Sequence, residues 1–158
     1  MAIRARNVDP LSPFRYIYSM HGPFSGTATL TGAMLDCYPV NQQRGTTGQV
    51  GDKIVDILFS QGAAGVGGTS VTVTIKKNGT TICTTDAKLT LAGGANIAID
   101  AKAEITPLPS GCIRPVLKSD STIYLKKGDV LTADYTVAGS YSTAPQMRVT
   151  LVVDPFPV

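Results

Sequence analysis

The chain holds one histidine, His21, and three cysteines, Cys37, Cys83 and Cys112, so the chemistry open to it is narrow. Nucleophilic catalysis of the common kind needs a serine or cysteine activated by a histidine, which a carboxylate holds on a rigid frame. His21 lies instead between Met20 and Gly22, in a stretch that also carries Pro10, Pro13 and Pro23. Proline at that spacing gives extended chain rather than a frame, and a surface or contact role fits this histidine better. A single histidine excludes a metal centre built from several imidazoles. Without a Cys-x-x-Cys pair, the widely spaced thiols match neither a zinc site nor a redox motif. Their odd number excludes a complete set of intrachain disulfides, and three reduced thiols suit maturation in a cytoplasm.

Carboxylates are the remaining chemical resource. Two of them facing each other in a sandwich cleft can hydrolyse a glycoside. Of the eleven present only Glu104 is a glutamate, tryptophan is absent, and most fall at strand ends or turns, where an acidic side chain accepts from local amides. Asp52 after Gly51 and Asp129 after Gly128 read as turn acids, and no Asp-x-Asp-x-Asp loop for calcium occurs. The glycine-rich stretch 61–69 has no Gly-Lys-Ser/Thr end leading into a helix, so it resembles no phosphate-binding loop. The sequence predicts a protein that is not an enzyme, with no catalytic residue, cofactor, metal or small-molecule substrate.

The charge is more telling by position than by sum. The net value is +3; residues 1–25 hold Arg4, Arg6 and Arg15 against Asp9 alone, and the rest is almost neutral. An evenly charged body offers no broad footprint for a nucleic acid and argues against direct binding of one. Arginines in an extended leader instead suit bidentate pairs with acidic groups of a protein partner. The same leader alternates the aromatics Phe14, Tyr16 and Tyr18, which need burial, either as a cover on their own sheet or against a neighbouring subunit. Arg4, Arg6, Phe14, Arg15, Tyr16 and Tyr18 are therefore the candidate protein-contact residues, on an arm spanning 1–25.

The elements behind this arm read as sheet throughout. With 158 residues the chain suits one domain, and Thr, Val and Ile together supply 44 of them, types that fit a pleated surface and make mediocre helices. No stretch reaches the roughly 18 apolar residues of a membrane helix, and the first ten residues carry charge and proline where a signal peptide needs an apolar run. Neither membrane insertion nor export by that route is predicted, and synthesis in a cytoplasm follows. Period-two alternation predicts strands over 28–38, 53–60, 70–76, 81–85, 97–105, 113–118, 122–126, 130–137 and 146–153. Asn78-Gly79 between two such runs signals a tight type I′ hairpin. Its register sets Thr74 opposite Cys83 and so puts Cys83 on the outward face unless a bulge intervenes. Longer loops are expected over 41–51, 61–69 and 138–145. Eight or nine short strands with no helix to cover a single sheet predict an all-β domain over 26–158, an antiparallel β-sandwich with jelly-roll-like connections.

The run Val71-Thr-Val-Thr-Ile-Lys-Lys-Asn-Gly-Thr-Thr-Ile82, followed by Ile123-Tyr-Leu-Lys-Lys-Gly-Asp-Val-Leu-Thr-Ala-Asp-Tyr135, resembles the sandwich domains of tailed-bacteriophage virion proteins, the capsid decoration (cement) proteins and the fibre or receptor-binding domains. The Lys-Gly-Asp-Val-Leu piece is also similar to a strand-turn-strand of trimeric tumour-necrosis-factor-like jelly rolls. The likeness covers residues 50–153, and the arm departs from fibre domains that follow a repetitive shaft. The resemblance implies a decoration protein on the outer surface of a virion, made in the host cytoplasm. It would be a homotrimer bound to the major capsid protein and stabilising the assembled lattice; the alternative is a fibre component recognising a host glycan or protein.

Overall fold

The computed structural model describes residues 16–23, 30–37, 52–63, 65–90, 97–126, 128–143 and 146–154. The named regular elements among them are strands, plus one 3₁₀ turn at Ser121–Ile123. The strands are β1 (Tyr16–Pro23), β2 (Leu30–Cys37), β3 (Asp52–Ala63), β4 (Val66–Lys77), β5 (Thr80–Thr81), β6 (Cys83–Thr85), β7 (Ala87–Thr90), β8 (Ile97–Asp100), β9 (Val116–Leu117), β10 (Tyr124–Leu125), β11 (Val130–Thr143) and β12 (Gln146–Asp154). Among the described residues no helix is long and apolar enough to cross a membrane.

These strands form two antiparallel sheets. In the first the order is β1-β12-β3, and the far edge of β3 is shared by β8, opposite residues 58–61, and β10, opposite 52–53. The second repeats this plan as β2-β11-β4, with β7 opposite residues 70–73 of β4 and β5 opposite 76–77. A short β6–β9 pair stands beside them. Among the described strands the pairings nest: β1 lies beside β12 and β2 beside β11.

Alternation decides which face is buried. Val71, Val73 and Ile75 of β4 are at most 3% exposed, as are Leu131, Ala133 and Tyr135 of β11, while Thr72, Thr74 and Thr132 between them are only half-buried. From the first sheet Ile57, Phe59, Ile99, Val149, Leu151 and Val153 supply the other half of the core. Each such side chain contributes roughly 1.5–3 kcal/mol by leaving water. Both inward rows of β4 and β12 follow the sequence pattern. The two inner faces make one β-sandwich core, as the composition predicts.

Where the chain departs from plain alternation, a bulge explains it. Asp56 pairs with Val152 and Ile54 with Val153, which leaves Val55 over. Ile54 and Ile57 are therefore both at 0% exposure although they stand three apart. Gly32 falls where the β2–β11 register also shifts, between the pairs Ala133 with Ala33 and Tyr135 with Leu30, as its position mid-strand suggests.

Several boundaries differ from the sequence reading. The expected loops over 61–69 and 138–145 are largely strand: β3 runs on to Ala63, β4 begins at Val66 and β11 continues to Thr143. Small residues permit this by letting two backbones close up, with Gly68 opposite Gly139. Gly67 has φ +93°, and a Cβ there would stand 2.6 Å from the Ser140 carbonyl oxygen, so no other residue fits without displacement. The expected strand 97–105 stops at Asp100, and β7 was not anticipated. Cys83 is the clearest correction: the register holds for Lys77 with Thr80 and Lys76 with Thr81 and as far as Ile82, whose N–H donates to the Ile75 carbonyl at 3.0 Å, then breaks at Cys83. The chain leaves β4, pairs Cys83 with Leu117 instead, and buries both Ile82 and Cys83, the latter 5% exposed.

Candidate interaction surface

The proposed contact residues divide into two groups. Arg4, Arg6, Phe14 and Arg15 lie outside the described residues. Tyr16 and Tyr18 are on β1, in register with Val153 and Leu151 of β12, both at 0% exposure. Of the extended arm expected over 1–25, residues 16–23 form β1 of the first sheet.

The outward face of the second sheet is polar and internally bonded. Thr74 Oγ1 donates to Asp86 Oδ2 at 2.5 Å, and Lys76 Nζ donates to Asp134 Oδ2 at 2.5 Å. At one end of this face the two turns singled out in the sequence meet. Asn78 N donates to the Val130 carbonyl at 2.8 Å, Val130 N donates to Asn78 Oδ1 at 2.8 Å, and Asn78 Nδ2 donates to Asp129 Oδ1 at 2.7 Å. Asp129 also accepts from Lys126 N at 2.7 Å, the turn-acid role its position suggests. Lys77 Nζ donates to the Tyr124 carbonyl at 2.7 Å and the Ser121 carbonyl at 3.1 Å. One polar cluster therefore locks the β4–β5 hairpin to the β10–β11 turn.

A second cluster was not legible in the sequence. By register Asp56 and Asp100 occupy outward positions of the first sheet, opposite Val152 and Leu58, yet they are 5% and 1% exposed. The chain after β8 folds over them. Asp56 Oδ1 accepts from the amides of Ile57, Ala101 and Lys102 at 2.8, 3.1 and 3.2 Å. Asp100 accepts from Glu104 N at 2.7 Å and from Ile105 N at 3.3 Å. Arg114 completes the lock by donating to Asp100 Oδ1 and to the Ile105 carbonyl. These carboxylates replace the ladder partners that the irregular backbone lacks; this is why β8 ends where it does.

From this lock the chain crosses to the second sheet. Ile113 exchanges backbone hydrogen bonds with Lys88, β9 lies on β6, and Lys118 N reaches the Ile82 carbonyl at 3.0 Å. Thr90 Oγ1 holds the Ser110 carbonyl at 2.7 Å. The crossing presents Leu108, Ile113 and Val116 at 39, 44 and 50% exposure; the other large hydrophobic exposed among the described residues is Val66. Pro107, Pro109 and Pro115 in this stretch are the one sequence sign that it is not a plain strand.

The thiols of Cys83 and Cys112 are packing groups. Cys83 and Cys112 are free and buried, and burial, with Asp86 adding to it against Lys118, pushes the Cys83 thiol from its ordinary value near 9 to about 12. Burial also pushes the Tyr135 hydroxyl up. Above pH 9 the unfolded chain releases protons that the folded chain retains, which favours unfolding. Stability is expected to be level from neutral pH to 9 and to fall between pH 9 and 12, with a shallower slope in Cys83→Ala. Chemical unfolding across that range checks it, and equal slopes for the two proteins would refute it.

Among the described residues no three His, Cys, Asp or Glu side chains gather as a metal site. Comparison with protein-family models, with curated proteins and with solved structures gives no match to this chain.

Proposed function

We propose that this chain is a virion structural protein that binds an assembled capsid lattice and stabilises it as a decoration protein of a tailed bacteriophage. The observation that carries this reading is the union of the two segments whose sequences resemble such proteins. They lie some forty residues apart in the chain, yet β4 pairs with β11 along its length and Asn78 is bonded to both Asp129 and Val130. The resemblance therefore rests on one structural unit rather than on two separate turns. Nested pairing of β1 with β12 and of β2 with β11 supports the jelly-roll form, because a long hairpin rolled into two sheets has that order. As a homotrimer on the outer shell, the protein would stabilise by linkage, binding the assembled lattice and not its dissociated subunits. Contacts of modest strength would be multiplied by valency.

Co-sedimentation with purified tail-free capsid shells tests the reading. The full chain is expected to bind saturably. Phe14→Ala, which truncates an aromatic anchor and costs about 2 kcal/mol or roughly thirty-fold in affinity, should weaken binding without changing the melting temperature. R4A/R6A should alter mainly the salt dependence. Absence of saturable binding to such shells, with binding to host cells instead, would replace this reading by that of a receptor-binding fibre component.

A further inference from the structure

Asn78 is the one asparagine of the chain that precedes a glycine; Asn7, Asn41 and Asn96 precede Val8, Gln42 and Ile97. The difference is chemical. Gly79 has no side chain to shield its backbone nitrogen, a Cβ placed there would meet nothing within 4 Å, and both residues are exposed. In that setting the Gly79 nitrogen can attack the Asn78 side-chain amide. A bond forms from Gly79 N to Asn78 Cγ as the nitrogen gives up its proton, the Cγ–Nδ2 bond breaks, and ammonia leaves. Water then opens the five-membered imide at either carbonyl, leaving an aspartyl or a β-linked isoaspartyl residue. Nothing is oxidised, and water is the only other reactant. The bonds between the two turns oppose this attack. Asn78 Oδ1 accepts from Val130 N at 2.8 Å and Nδ2 donates to Asp129 Oδ1 at 2.7 Å, so both bonds must open before the amide can swing into the ring.

We propose that Asn78 is a deamidation site whose rate is set by its bonds to Asp129 and Val130, and that the reaction turns this lock into a repulsion that frees the β4–β5 hairpin from the β10–β11 turn. The product puts a carboxylate oxygen where Nδ2 now donates, and two carboxylates at hydrogen-bond distance repel. Asp129 cannot turn away without loss, because its other oxygen accepts from Lys126 N at 2.7 Å. Lys77 offsets little of the repulsion: its Nζ stands 4.0 Å from Asp129 Oδ2 and already donates to the Ser121 and Tyr124 carbonyls. Neither step depends on a capsid or on any other partner.

The test has two arms. In the first, the full chain is kept warm at mildly alkaline pH, folded and unfolded in guanidinium chloride, and conversion of each asparagine to acid is followed by mass spectrometry of its peptide. Asn78 is expected to outpace the other three in the unfolded chain, and to react roughly thirty-fold more slowly in the folded one, the factor that two ordinary hydrogen bonds supply. Folded Asp129→Ala should lose about five-fold of that protection. In the second arm, N78D stands for the ordinary product. Hydrogen exchange at the backbone amides of residues 78 and 130 is expected to rise about ten-fold in N78D and in D129N. It should return to the wild-type rate in N78D/D129N, where amide and carboxylate have changed places and the bond runs the other way. Equal rates for Asn78 in the folded and unfolded wild type would overturn control by the lock. Faster conversion of Asn7, Asn41 or Asn96 than of Asn78 in the unfolded chain would overturn the site itself. Exchange unchanged in N78D, or a double variant no better than N78D, would overturn the release of the hairpin. Where Asp129→Ala melts early, the folded-against-unfolded comparison and the exchanged pair still decide.

Discussion

Removing residues 1–23 is expected to destabilise the domain severely, whereas removing residues 1–15 leaves its melting temperature unchanged. The difference is β1. Its eight residues pair without interruption with β12, from Tyr16 opposite Val153 to Pro23 opposite Gln146. Without it β12 becomes the edge of the first sheet, and Val149, Leu151 and Val153, each at most 1% exposed, lose their lateral cover. At about 1.5 kcal/mol for each apolar side chain returned toward water, the loss reaches roughly 4 kcal/mol, a large part of the 5–15 kcal/mol that holds a domain folded. The bared edge of β12 should also make the longer truncation aggregate. Thermal melting followed by circular dichroism on the two truncations decides the matter. Equal melting temperatures would show that β1 adds nothing to the fold.

Asp100→Ala is expected to cost about 3–5 kcal/mol, the range found when one partner of a buried ion pair is removed. The Asp100 side chain is 2% exposed and that of Arg114 17%. Deleting the carboxylate strands a guanidinium that has little water around it, and it also orphans the Glu104 and Ile105 amides. Arg114→Met removes the charge but keeps much of the volume, so it should cost less than Asp100→Ala, and the double variant should cost less than the sum. Urea unfolding of the three variants gives the energies, and limited proteolysis should show new cleavage within residues 101–115. A loss under about 1 kcal/mol for Asp100→Ala would mean that the pair is solvated and does not hold the crossing.

How far the sequence foretold this molecule depends on the distance over which each feature is determined. Val71, Val73 and Ile75, or Met147, Val149, Leu151 and Val153, announce their faces because a strand imposes a period of two on its own residues. Asn78-Gly79 announces its turn because only the turn's own backbone is involved. Asp56 gives no such notice: the amides it binds, those of Ala101 and Lys102, lie 45 and 46 residues away, and nothing near Asp56 marks it as their partner. Cys83 was misplaced for a related reason. Local register carries it to the outward face, but after Ile82 the chain leaves β4, pairs β6 with β9 and buries Cys83. Pro10, Pro13 and Pro23 announce extended chain around Tyr16 and Tyr18, but not the strand that this chain lies beside. That Pro23 ends a strand rather than preventing one is visible only once β12 stands alongside.

The place of β12 between β1 and β3 also sets an order of events during synthesis. Until residues 146–154 leave the ribosome, β1 has no neighbour in its sheet and β3 can pair only with β8 and β10. A nascent chain therefore carries β1 without its partner until a strand about 130 residues downstream has been made. Such closure is entropically slow and leaves time for misassociation between copies.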